Sequence, residues 1–345
     1  MMKRECPASS SLPARMRLTD SFGRVIDYLR LSVTDRCNLR CSYCMRRDVT
    51  FLPKADVLSL EELDALCQTF IRLGVRKLRL TGGEPFARSG IMNLVEGLGR
   101  RLADGGFDEL TLTTNGLLLP KFAAGLARAG VRRINVSLDT LDRDRFRALT
   151  GFDGLERVVA GIDAARASGI AVRVNTVALG GINEDEYDTL LAWCGEHDCD
   201  MALIELMPIG AGTARPQQRF LPLDRVRRRL EAHWRLEPLS WRSGGPAEYV
   251  RVAATGRRLG FIAAISHGFC RECNRIRLSC SGVLVPCLAH GDGIDLRRLL
   301  RENGSEAAVD AAIVAAVLSK PEEHRFSVAP ATVAAPVRCM WQMGG

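Results

Sequence analysis

Aromatic residues and acidic charge are both in short supply in this chain. Phe, Trp and Tyr make up 6% of its 345 residues. No basic run is interleaved with aromatics, so a nucleic-acid-binding surface is not expected. No apolar run approaches the roughly 20 residues that would cross a bilayer, so no membrane contact is expected. Met1 to Ser11 is polar and lacks the apolar segment of a secretory signal. The expected compartment is the cytoplasm, where thiols stay reduced.

Cysteine and basic charge, by contrast, are plentiful. The 48 Lys and Arg against 40 Asp and Glu leave a formal charge of +8, which favours an anionic ligand. The 12 cysteines read as metal ligands more readily than as disulfides in a reducing compartment. Cys6, Cys67, Cys194, Cys199, Cys280 and Cys339 are scattered and read as buried or inert thiols. The other six fall into two sets.

Cys37, Cys41 and Cys44 form C-x3-C-x2-C. Three thiolates in so short a loop can wrap three corners of an iron–sulfur cube. The fourth iron is then open to bind and cleave a ligand. Cys270, Cys273 and Cys287 form C-x2-C-x13-C. Arg275 to Val285 reads as a hairpin turning at Ser281-Gly282, which would return Cys287 to the C-x2-C loop. This spacing suits a structural zinc site equally well, with Cys280 or His290 as fourth ligand. Cys280 is disfavoured, because a mid-strand residue between two others can face the wrong way. Arg275 and Arg277 share one strand face beside the set, which suits an anion but also describes an ordinary solvated face.

Between about Asp20 and Trp234 the sequence alternates strand-like and helix-like runs. Strands are expected at Val25–Val33, Val75–Thr81, Glu109–Thr114, Arg132–Leu138, Ile170–Val177 and Met201–Leu206. Amphipathic helices are expected at Ser59–Leu73, Gly90–Leu102, Lys121–Ala129, Leu155–Ser168 and Glu184–His197, with Ser59 and Glu62 at capping-box spacing. The expected fold is α/β, an incomplete (βα)6 TIM-like barrel over residues 20–234. Arg235 to Glu248 reads as a connector. Residues 235–345 are expected to form an α+β extension that binds the second cluster. Active sites in such folds lie at the C-terminal strand ends, where the first cysteine set directly follows the first strand.

Several segments occur in order with the cysteines: Leu29 to Asn38, Arg79-Leu80-Thr81-Gly82-Gly83-Glu84-Pro85, Thr113 to Gly116, Asn135 to Asp139, Val174 to Val177, and a terminal Gly344-Gly345. Together they resemble the radical S-adenosylmethionine enzymes and, within them, the GTP 3′,8-cyclase family of molybdenum-cofactor biosynthesis. The resemblance implies two [4Fe-4S] clusters, on Cys37, Cys41 and Cys44 and on Cys270, Cys273 and Cys287, with S-adenosylmethionine as cofactor and GTP as substrate. It implies that Tyr43, Gly83, Ser137 and Met207 contact S-adenosylmethionine. Gly82 and Gly83 would let the backbone approach its methionine moiety closely. It implies that Arg30, Lys77, Arg79, Thr113, Arg173, Arg275, Ile276 and Arg277 contact GTP, with Arg275 and Arg277 serving catalysis too. The terminal glycines would reach into the active site, while Asp35 and Arg36 would serve the loop. It further implies an external one-electron donor and a downstream cyclic pyranopterin monophosphate synthase; a homodimer is left open. Three positions depart from the family pattern: Arg46 for Pro, Arg173 for Lys, and Ala202 for Arg. Two rival readings are another radical enzyme with an auxiliary cluster, and an inactive metal-binding homologue.

Overall fold

The structure is a computed structural model and describes residues 17–209, 218–290, 293–302, 304–324, 326 and 340–343. Cys6, Cys339, residues 1–16 and Gly344-Gly345 lie outside the described residues.

All six expected strands form: β1 (Tyr28–Ser32), β2 (Lys77–Thr81), β3 (Glu109–Thr114), β4 (Arg133–Ser137), β5 (Ala171–Ala178) and β6 (Asp200–Glu205). Helices α1 (Leu60–Arg72), α2 (Ile91–Ala103), α3 (Leu119–Arg128), α4 (Arg143–Thr150), α5 (Leu155–Ala167) and α6 (Tyr187–Glu196) connect them. The short α4 was not expected. Asp142 caps it by accepting from Arg145 N, and Gly151, in the left-handed region, ends it. At α1 the capping box is complete, with Ser59 and Glu62 each accepting from the other's backbone N–H. Adjacent strands β1 to β6 are all parallel neighbours in order.

The segment after β6 carries α7 (Leu223–Glu231), β7 (Leu236–Pro238), β8 (Glu248–Val252), β9 (Arg258–Ile262), β10 (Arg275–Leu278), β11 (Val283–Val285), β12 (Ile294–Asp295), α8 (Leu296–Arg301), α9 (Glu306–Leu318) and α10 (Met340–Met343). Among the described residues it builds no sheet of its own. β9 adds parallel to β6 at one edge, and β10 adds parallel to β1 at the other. Eight parallel strands therefore run side by side, flanked by the antiparallel pairs β8–β7 and β11–β12. The predicted hairpin is β10–β11, and Gly282 turns it with φ 84°. The stretch read as a connector holds β7, and its Ser243 carbonyl accepts from Lys77 Nζ at 2.7 Å.

A single large cluster of apolar side chains fills the space between sheet and helices, including Leu29 and Leu31 of β1, Leu78 and Leu80 of β2, and Leu63, Leu66 and Phe70 of α1. Alternation along each strand then sends the intervening residues inward. In β1 to β5 these are largely polar: Tyr28, Arg30 and Ser32, then Lys77, Arg79 and Thr81, then Thr113, Asn135 and Arg173. A closed eight-stranded barrel fills this space with branched aliphatics. Here it holds charge and a cavity. Among the described residues, no helix is long and apolar enough to cross a membrane.

Candidate functional site

The inward face encloses a cavity of about 290 Å³ that touches both cysteine sets. At the C-terminal end of the strands it is lined by Cys37, Cys41, Tyr43 and Cys44, together with Gly83, Ser137, Asp139 and Met207. The loop after β1 is held there by its backbone. Gly83 N donates to Thr34 O and Glu84 N to Arg36 O, each at 2.8 Å. A Cβ on Gly83 would lie 2.3 Å from Arg36 O, and one on Gly82 would lie 2.5 Å from Thr34 O. These glycines are thus required by close approach of the cysteine loop itself. That is a reason beyond the expected close approach of a ligand: the space a side chain would take is filled by backbone.

Polar groups complete this end. Glu84 is buried and accepts from Thr114 Oγ1, Asn115 N and Phe86 N, tying the end of β2 to that of β3. Burial pushes its carboxyl up to about 7 despite these bonds. Asn115 Nδ2 donates to Asn38 Oδ1 at 2.7 Å and lies 3.9 Å from Cys37 Sγ. Tyr43 OH donates to Asp139 Oδ2 at 2.6 Å, and burial raises Asp139 to about 6. Burial also raises the Cys37 thiol to about 11 and Cys41 well above its ordinary value. With no metal bound these are neutral thiols; a bound cation would take the proton's place. Asp35 accepts from Leu52 N at 2.6 Å, so it serves the loop as expected.

The cavity continues past a layer of cations. Arg277, Arg30 and Arg79 stand opposite one another on β10, β1 and β2. Arg173 joins them from β5, and all four line the cavity. Burial, and then Arg277, pull Arg30 down to about 9. Burial pulls Arg79 to about 9 and Arg277 to about 10. Arg173 donates to Tyr249 OH and, at 3.0 Å, to Asn175 Oδ1. Among the described residues neither Arg79 nor Arg173 has a carboxylate within ion-pair distance. Below this layer Tyr28 lies under Lys77 and Arg79, at 5.0 and 5.4 Å from its ring centre. Burial alone would raise its phenol, but Arg79, Arg30, Lys77 and Arg275 outweigh burial and lower it.

The second cysteine set sits at the opposite end of the strands. Register pairs Arg275 with Tyr28, the first residue of β1, so Cys270 and Cys273 precede the N-terminal end of β10. β11 runs back and delivers Cys287 to the same end. The two sets are thus separated by the length of β1, roughly 15 Å at strand rise. Arg275 lies over the Phe269 ring at 4.8 Å, with Nη2 4.0 Å from Cys273 Sγ. Burial opposes ionisation of Cys273, but Arg275 and Lys320 outweigh it and bring the thiol to about 6. Cys280 is fully buried in the turn between β10 and β11, at the far end of β10 from the set, and does not line the cavity, so it does not join the set. Among the described residues no group of three or more His, Cys, Asp or Glu converges on a single metal-ion position.

Most expected site residues meet at this cavity: all six cysteines, Tyr43, Gly83, Ser137, Met207, Arg30, Arg79, Thr113, Arg173, Arg275 and Arg277. Lys77 and Ile276 do not line it. Lys77 lies below, paired with Glu109 at 2.6 Å, which also pairs with Arg133 at 2.7 Å. Ile276 is fully buried, its side chain turned to the face opposite Arg275 and Arg277, so only its backbone is left for a ligand. Ala202 packs with Tyr249, Ala247 and Ile262, so an aromatic ring fills its surroundings. Arg46 is exposed and pairs with Asp48. Sequence reading missed Lys320, Tyr28, Tyr249 and the α10 residues Met340 and Trp341. Of these, Lys320, Tyr28, Met340 and Trp341 line the cavity. A lone lysine after an apolar helix carries no sequence signal.

Residues 31–194 match the Radical SAM superfamily, and residues 199–326 match Molybdenum Cofactor Synthesis C. A GTP 3′,8-cyclase of Rhodopseudomonas palustris is 55% identical over 312 residues, covering 90% of each chain. The chain belongs to the GTP 3′,8-cyclase family. Another member, from Nitrobacter winogradskyi, is 51% identical over 323 residues, 94% of each chain. Among solved structures, Streptococcus suis SuiB bound to S-adenosylmethionine matches with a TM-score of 0.57 at 16% identity. That match covers 84% of this chain and 68% of SuiB and supports the partial-barrel fold alone.

Proposed function

We propose that this chain converts GTP to (8S)-3′,8-cyclo-7,8-dihydroguanosine 5′-triphosphate, the first step of molybdenum-cofactor biosynthesis. The observation that carries the reading is one buried cavity with three cysteines at each end and a layer of arginines between. Residues 20–234 would hold S-adenosylmethionine and residues 235–345 the second [4Fe-4S] cluster. When bound by Cys37, Cys41 and Cys44, the first cluster would supply the one electron that reductively splits S-adenosylmethionine into methionine and a 5′-deoxyadenosyl radical; that radical would take the 3′ hydrogen of GTP, C3′ would add to guanine C8, and a second electron with a proton would quench the resulting product radical.

The chain's own residues set the geometry. Tyr43, Gly83, Ser137 and Met207 form the wall on which S-adenosylmethionine rests beside Cys37, Cys41 and Cys44. Arg30, Arg79, Arg173 and Arg277 offer guanidinium forks to a triphosphate, a match that a single lysine would not give. Thr113 and the Ile276 backbone add uncharged contacts. Lys77 acts from below by fixing Glu109 and the Ser243 loop. Arg275 turns toward the second set and brings the base against it. The burial of the whole layer excludes water from the radical. An external one-electron donor and a downstream cyclic pyranopterin monophosphate synthase complete the reaction sequence, and the setting is cytoplasmic.

Anaerobic incubation with reductant, S-adenosylmethionine and GTP tests this. GTP-dependent 5′-deoxyadenosine and a new GTP isomer are expected, with about eight irons per chain. Release of 5′-deoxyadenosine that GTP does not affect would point to another radical enzyme with an auxiliary cluster. No release, with zinc in the chain, would point to an inactive homologue.

A further inference from the structure

Lys320 follows α9 and is almost wholly buried, with 3% of its surface exposed. A buried lysine is rare unless paired, yet among the described residues no carboxylate pairs with it. Its Nζ donates to Arg275 O at 2.9 Å and to Pro286 O at 2.7 Å. The first is two residues after Cys273, and the second immediately precedes Cys287. Its ammonium lies close enough to the Cys273 thiol to act on it electrostatically. The next residues reach the remaining ligand. Arg24 donates to Pro321 O at 2.7 Å, to Glu322 O at 2.8 Å and to Cys270 O at 2.6 Å, while Asp20 holds its Nε at 2.6 Å. The backbone beside each of the three cysteines is therefore fastened to one short segment by two buried cations.

We infer that Lys320 is a positioning residue for the second cluster, fixing the three cysteine-bearing loops in one cradle and placing a buried positive charge against the bound thiolates. The inference rests on the two-cluster reading above. Three thiolates on a cubane leave excess negative charge, and in a buried site only a fixed cation or dipole offsets it. Outer partners of metal ligands commonly change affinity by about 10- to 100-fold.

The test uses anaerobically reconstituted full chain, wild type and Lys320→Met, with Lys320→Arg for rescue. Iron and sulfide per chain, the electron-paramagnetic spectrum of each reduced cluster and the rate of iron loss to a chelator are measured. Lys320→Met is expected to keep the first cluster, which also reports that it folds. Its second cluster should release iron about tenfold faster or more, with a more negative midpoint potential. Lys320→Arg, which restores the charge, should recover part of both. Wild-type release and spectra in Lys320→Met would overturn the inference while leaving the two-cluster reading intact. About four irons in the wild type would overturn both. Should Lys320→Met fail to fold, Lys320→Gln keeps a donor without charge, and a wild-type release rate in it overturns the inference equally.

Discussion

Replacing Gly83 with alanine should remove the first cluster without unfolding the protein. The added Cβ would stand 2.3 Å from Arg36 O, 2.5 Å from Arg36 C and 2.8 Å from Asp35 O. All three are backbone atoms, so no side chain can swing aside. Ordinary carbon–oxygen contact begins near 3.4 Å, so the loop must retreat by about 1 Å. Overpacking of this kind costs about 1–3 kcal/mol, against a typical stability of 5–15 kcal/mol. The chain should therefore stay folded, but the retreating segment ends one residue before Cys37. Metal–ligand distances tolerate only about 0.2 Å. Reconstituted Gly83→Ala should hold about four irons per chain instead of about eight and should not cleave S-adenosylmethionine. Gly180→Ala is the control, since its Cβ would lie 3.5 Å from the nearest atom, Arg219 O, an ordinary contact. A Gly83→Ala protein with wild-type iron and wild-type 5′-deoxyadenosine release would refute the reasoning.

Two further substitutions probe the buried polar groups. The Glu84 carboxyl has its folded pKa raised, so the stability it permits is full below its unfolded value near 4.5 and is lost as pH rises through about 7. Asp139 and Cys273, each brought to about 6, titrate in both proteins, so the comparison is with Glu84→Gln in the metal-free chain. The stability difference between the two should move in favour of Gln by on the order of 3 kcal/mol between pH 4.5 and 7.5, read by urea unfolding; a pH-independent difference would contradict the raised pKa. Tyr249→Phe removes a hydroxyl that receives Arg173 Nη1 and reaches Ser243 Oγ at 3.1 Å. Losing that bond costs about 0.5–1.5 kcal/mol, so KM for GTP should rise about two- to tenfold with S-adenosylmethionine affinity unchanged. An unaltered KM would mean that Arg173 does not need this support.

The βα alternation was legible because each unit carries its own punctuation. Ser59 and Glu62 start α1, and Gly74, Gly130 and Gly169 follow helices in the left-handed region, as their positions implied. The six cysteines were legible because close ligand spacing is a local property. What lay beyond the sequence was the destination of the C-terminal segment. Nothing local says that β9 and β10 will extend opposite edges of the same sheet, because parallel pairing is set by long-range contacts. Lys77 illustrates the limit at residue level. Its strand phase is the same as that of Arg79, yet one step of two residues moves it from the cavity wall to an ion pair with Glu109. Ile276 shows the converse, since its immediate neighbours both face the cavity and strand alternation turns it away.

The strand register also explains why the cavity suits an anionic ligand. Cross-strand neighbours with like charge destabilise a sheet, and here Arg277, Arg30 and Arg79 lie side by side on three adjacent strands within a buried lumen. One layer lower, Glu109 is already shared between Lys77 and Arg133, so that acid is engaged. The only carboxylates on the cavity wall among the described residues are Asp139 and Glu205, both near the C-terminal strand ends. Asp139 is engaged by Tyr43 and Val177 N, and Glu205 by Leu223 N, Ile265 N and Ser266. Neither is available to the arginine layer. A fold that keeps such a layer buried lowers its own stability unless a ligand brings several negative charges to it. The same layer suits the proposed substrate, a nucleoside triphosphate lying between the two cysteine sets.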